Sequence, residues 1–248
     1  MRSFQALCMK ELRCFFLTPI AYLVMFFFLL LMGCSMWYMM LMLSADAVEG
    51  TLTQTLFGGS IFFWVAMIIS VPVITMRLLA DEKKSGTIES LLTVPVKDYQ
   101  IVLAKYLAAV LFFITIWLPT AAYPLILIRL DPELAFDWPS LLSSYAGTLL
   151  VGAMFLSIGL LASAISRNQV VAAIITLCAI SVAFFAGFIP FIVPNPAIRH
   201  TATYFSPVMH MMDFSRGLMD SRPFVLYCTT TAFFLFATVR VVESGKWK

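Results

Sequence analysis

Hydrophobic positions dominate the chain in six long runs, each close to the roughly 20 apolar residues that cross a bilayer. They cover residues 18–43, 57–79, 101–128, 141–165, 169–193 and 223–242. Polar residues gather between the runs, so the pattern predicts one bundle of six membrane helices with no separate soluble domain. Ahead of the first run, residues 2–15 read differently. Phe4, Leu7, Cys8, Glu11, Leu12 and Phe15 recur at helical spacing, with Arg2, Gln5, Lys10 and Arg13 on other faces. This predicts a helix lying at the inner membrane interface rather than a simple extension of the first span, which would carry Lys10, Glu11 and Arg13 toward the acyl chains. Thr18 and Pro19 mark the turn between the two, proline suiting a first helical turn.

Two other segments break the apolar pattern. Within residues 77–106, Ile88, Leu91 and Leu92 form a short apolar stripe with Glu89 and Ser90 turned away. Ser85 and Gly86 are placed to open that helix and Pro95 to help close it. By residue pattern alone it is either a lever at the ends of two spans or the surface helix of a solvated loop. The segment 194–222 is too long for a tight turn. Ser206 followed by Pro207 predicts a short helix there, and Phe205, Val208, Met209 and Met212 give it an apolar stripe. Such a stripe suits a re-entrant outer gate covered by neighbouring protein.

Composition confirms the solvent. Hydrophobic residues make up 62% of the chain and charged residues 12%, outside the range of soluble domains. The first run is too long for a signal-peptide core, and no small-residue cleavage site follows it, so an uncleaved anchor is expected. Twelve of the sixteen Lys and Arg residues fall on one side when the N-terminus is cytosolic. Both termini are therefore expected in the cytosol. The net charge of +3 sits at span ends rather than along a soluble face, which argues against a nucleic-acid partner. Five cysteines form neither a CxxC pair nor an even extracellular set and read as packing residues.

Candidate chemistry is sparse. His200, His210, Asp213 and Asp220 match no compact metal-ligand motif, so no metal is expected. A GxSxG elbow, a HExxH pair and a GxxxxGK(S/T) phosphate loop are all missing from the sequence, so the chain reads as a non-enzyme without an ATP site of its own. No lysine, arginine, aspartate or glutamate is expected to be needed inside a span. That absence argues against an ion-coupled carrier and suits a pathway for apolar or bulky cargo powered from elsewhere. Two sets of three spans nevertheless have the outline of an inverted repeat, which keeps a secondary carrier as the alternative.

Met76, Arg77, Asp81, Glu82, Lys83, Gly86, Thr87, Ile88, Glu89, Leu91, Leu92, Pro95 and Lys105 resemble the signature of ABC-2 type transporter permeases, MRxxxEEKxxGTxExLLxxP followed by GK. Asp81 stands where that pattern has Glu, and Ala104 where it has Gly. Shorter stretches, Thr18 to Leu23, Asp98 onward, Ser215 to Arg222 and the end of the chain, are similar to permeases associated with gliding motility. The resemblance implies an all-α transmembrane domain over 1–248, forming half of an exporter in the bacterial inner (cytoplasmic) membrane. A second permease half, identical or related, and an ABC ATPase binding ATP and Mg would complete it, with membrane lipid around it. It also implies a coupling helix at 85–94 within the cytosolic segment 80–98, with Glu82, Lys83, Gly86, Thr87, Ile88, Glu89, Leu91 and Leu92 meeting the ATPase. Arg167, Asn168 and Gln169 would be a second, smaller cytosolic contact or a plain polar turn.

Overall fold

The computed structural model describes residues 2–44, 52–85, 98–130, 137–193 and 195–244. Helix α1 (Arg2–Leu17) is separated from α2 (Pro19–Ser44) by a bend at Thr18. The Thr18 hydroxyl closes that bend by donating to the Cys14 carbonyl at 2.7 Å, and Pro19 starts the next helix without an N–H to satisfy. The short α3 (Leu52–Leu56) precedes α4 (Ile61–Thr75), and α5 (Ala80–Ser85) follows a turn. Then come α6 (Asp98–Trp117), a 3-10 turn at Leu118–Ala121, α7 (Ala122–Leu130), α8 (Trp138–Ile165) and α9 (Gln169–Ala186). The chain ends in α10 (Ile189–Ile192), α11 (Pro196–Phe205), α12 (Pro207–Ser215) and α13 (Ser221–Ser244). Among the described residues there is no strand, and six helical stretches are long and apolar enough to cross a membrane.

The spans lie where expected, with three local differences. The second begins at Ile61, because Phe57 to Gly59 form a turn and Ser60 stands in an extended conformation before the helix. A side chain at Gly58 would stand 2.8 Å from the Met211 and Met212 backbone of α12, so glycine permits that approach. The third span is interrupted by the 3-10 turn around Pro119, whose ring removes a helical donor. The fifth ends in a turn at Gly187 and Phe188 before α10. Its last turn is therefore a separate short helix.

Helix α8 is the axis of the bundle and packs on α4, α6, α9, α12 and α13. Its buried face is rich in small residues, among them Ser144, Gly147, Thr148, Gly152, Ser157 and Gly159. In hydrocarbon there is no hydrophobic drive between helices, so close approach of small-residue faces supplies dispersion contact instead. The hydroxyls cause no orphaned polarity where they return to their own helix. Ser144 donates to the Ser140 carbonyl at 2.7 Å, Thr148 to Ser144 at 2.8 Å and Ser157 to Met154 at 2.6 Å. An aromatic cluster fills the space beside α6, where the Trp117 ring lies 4.8 Å from Phe28 and 5.5 Å from Phe63. Such edge and tilted contacts hold α2, α4 and α6 together.

Candidate functional site

The predicted stripe on α1 is the face that packs on α6. Phe15 stacks on Phe112 with ring centroids 4.9 Å apart, and Phe16 meets the same ring edge-on at 5.5 Å. Glu11 lies on that stripe and is 9% exposed. A carboxylate on an apolar face needs a partner, and its partner is Lys105 of α6. The Lys105 ammonium is 3.1 Å from Glu11 Oε1 and 2.8 Å from Glu82 Oε1 of α5. One cation thus ties together α1, α5 and α6.

Lys105 is thus a buried charge near the start of a span rather than a solvated topology signal. Lys105 stands seven residues into α6, about 10 Å from its start, and is 1% exposed. It is tolerated there because two carboxylates replace the water it has lost. The latch was missed in the sequence because a lone lysine near a span end reads as a topology signal. Its one visible sign was Glu11 on an apolar stripe.

Around α5 the remaining polar groups converge. Arg77 Nε lies 3.5 Å from Asp81 Oδ2, one helical turn away, and Gln169 at the start of α9 donates to Asp81 Oδ1. Lys83 donates to the Ala164 carbonyl at the end of α8, where helix carbonyls lack intrahelical partners. Ser163 Oγ accepts from the amides of Leu79 at 3.0 Å and Ala80 at 3.1 Å, and approaches the Met76 carbonyl at 3.2 Å. This single hydroxyl staples the turn between α4 and α5 to α8. Ser163→Ala leaves two buried amides without that acceptor, so it is expected to cost about 1–3 kcal/mol. Thermal unfolding of the detergent-solubilised variant against the parent protein checks this.

Of the expected coupling residues, Glu82 is in the latch and Lys83 on the α8 end. Gly86, Thr87, Ile88, Glu89, Leu91 and Leu92 lie outside the described residues. Ser85 belongs to α5, and the helix it was expected to open lies outside the described residues. In α5 itself, Asp81 and Glu82 in the first turn and Lys83 and Lys84 in the last complement the helix dipole. At the predicted second contact, Asn168 caps α9 by accepting from the Val170 amide at 2.9 Å, Gln169 reaches Asp81, and Arg167 is exposed. The structure therefore joins the α8–α9 turn to the start of the 80–98 segment.

On the opposite side, the predicted cap is present: Ser206 Oγ accepts from the Met209 amide at 3.1 Å and Pro207 opens α12. The four expected gate residues are spread over two helices and more than one face. Phe205 closes the preceding helix and is 61% exposed, while the buried face of α12 is Val208, Met211 and Phe214. Met209 and Met212 are half-buried at its flank. His210 is buried against Tyr227, Nδ1 to hydroxyl 2.9 Å. Burial lowers its pKa below the ordinary histidine value, with Asp213 and Asp220 pulling the other way. His200, His210, Asp213 and Asp220 share a cleft of about 580 Å³ with Arg199 and Arg222, but among the described residues no group of acidic, histidine or cysteine side chains is placed to hold a metal ion.

Six apolar helices around a small-residue axis, tied at one end by a charged latch, define a multi-pass membrane protein. The model of the ABC-2 family transporter proteins matches residues 46–239, and the chain belongs to that family. It is accordingly a membrane permease subunit. The matched region runs from before α3 into α13 and includes Glu82 and Lys105, while Glu11 precedes it. Among curated proteins none matches the chain.

Proposed function

We propose that this permease is one half of an ATP-driven exporter, worked by a separate ABC ATPase through the segment that begins at α5. The observation that carries this is the Lys105 latch, of which Lys105 and Glu82 lie within the family-matched region and Glu11 before it. It makes α5, α1 and α6 one mechanical unit, so a push on residues 86–97 would reach a span rather than be lost in a loop. A second half, either a copy or a related chain, would complete the pathway. Both termini and the latch would lie on the cytosolic side of a bacterial inner membrane, following the lysine and arginine asymmetry. ATP and Mg would be bound by the partner. Service in gliding motility rests on the short resemblances at Thr18 to Leu23 and Ser215 to Arg222 and is the narrowest part of this reading.

What supports the permease over the carrier is that Lys105 is held by two carboxylates and that the family match spans the segment around it. Glu89→Lys is expected to leave the chain in the membrane and to abolish stimulation of the partner ATPase, by reversing charge on the proposed docking helix. ATP hydrolysis by the reconstituted complex checks it, and unchanged hydrolysis and transport would remove Glu89 from docking.

A further inference from the structure

Between α1 and the facing ends of α2 and α4 runs a groove of about 210 Å³. Its inner wall is apolar, built by Phe15, Ala21, Val24, Val73, Ile74 and Phe112. Lys10 and Arg77 stand among its charged lining residues, with Lys105 and its two carboxylates. The α2 and α4 walls belong to membrane spans, and the residues beside them face outward, Leu17 82%, Ile20 40% and Leu23 67% exposed. The medium against a groove at that position is therefore acyl chain rather than water.

The charges decide what kind of amphiphile fits. Glu11 and Glu82 are both turned onto Lys105, and Asp81 is engaged by Arg77 and Gln169. Lys10 is exposed, and no ion pair involves it among the described residues. A guanidinium has five donors, and the ion pair of Arg77 with Asp81 is long, at 3.5 Å. The carboxylates at the groove are thus occupied, while two cations keep donor capacity for an anion.

We propose that the groove holds one phospholipid from the leaflet on the α1 side, an acyl chain lying against Ala21 and Val24 and the phosphate taken by Lys10 and Arg77. The lipid wedges α1 against the bundle directly beside the latch. This site depends on no assumption about the ATPase.

The test is native mass spectrometry of the full chain, released from detergent with dioleoyl phosphatidylglycerol, and with dioleoylglycerol as the phosphate-free counterpart. One phosphatidylglycerol is expected to survive activation that strips the others. Ala21→Trp, which fills the groove, should lower its occupancy, and the paired Lys10→Ser and Arg77→Ser change, which removes the cations, should lower it about tenfold, as loss of charge-assisted contacts implies. Melting curves identify any variant that fails to fold, and the surface change at Lys10 alone then serves in its place with a smaller loss. Retention equal in all variants, or equal for dioleoylglycerol, overturns the proposal. So does displacement by excess inorganic phosphate, which would mark an ion site rather than a lipid site.

Discussion

Lys105→Met is expected to destabilise the protein by about 3–5 kcal/mol, the cost of breaking a buried ion pair by removing one partner. The substitution keeps the length and the apolar stem of the side chain, so packing on α6 is retained. What it leaves is Glu11 and Glu82, 11% and 17% exposed as side chains, facing each other without the cation between them. Thermal unfolding in detergent should show the loss directly. Neutralising the carboxylates as well, with Glu11→Gln and Glu82→Gln added to Lys105→Met, should recover most of it, since an uncharged trio no longer leaves bare charge buried. The recovered protein separates stability from coupling. It should insert and fold, yet ATP hydrolysis in the complex should respond less to cargo, because α5 is no longer pinned to α1 and α6. If the single change melts with the parent protein, the latch does not hold the three helices.

The second large effect is expected at Gly159, where α8 crosses α4. A Cβ placed there would stand 2.2 Å from Thr75 Oγ1 and 2.7 Å from Thr75 Cβ. Thr75 is buried, β-branched and tied by its hydroxyl to the Val71 carbonyl at 2.9 Å, so it has no free rotamer into which to retreat. Gly159→Val should therefore force α4 and α8 apart and cost about 3 kcal/mol, at the upper end of overpacking. Gly33 on α2 is the matched control. Nothing lies within 4 Å of a Cβ at Gly33, and Gly33→Ala should be neutral or stabilise by up to about 1 kcal/mol through helix propensity. Melting of the two variants side by side checks both. The contrast matters for function because the α4–α8 crossing lies just above the Ser163 staple, where motion of α5 would reach the axis of the bundle.

What could be read from the sequence was what depends on neighbours along the chain. Six apolar runs need only length and hydropathy, and all six are present as span-length helices. The bend at Thr18 and Pro19, the α1 stripe and the Ser206–Pro207 start of α12 each follow from local capping and periodicity, and each is found. The differences arise where distant residues decide. The turn at Phe57 to Gly59 packs closely against α12, more than 150 residues later in the chain. Pro119 stood in the third apolar run as a visible breaker, but the run around it is apolar on both sides and reads as one helix. Lys105 meets Glu11 from 94 residues away and Glu82 from 23, which no local pattern encodes. Glu11 on an otherwise apolar face was the one local conflict between residue type and position. Such conflicts are where a functional contact is to be sought.

The central proposal, a permease half driven from outside through the α5 end, is tested most directly by what accompanies the chain in its own membrane. We would purify the tagged protein in mild detergent from native membranes, identify its partners by mass spectrometry and assay ATP hydrolysis of the complex. The expected result is an ABC ATPase bound at the α5 side, with hydrolysis that falls when Glu89 is changed to Lys. Recovery of the chain without any ATPase, still able to move cargo after reconstitution alone, would contradict it.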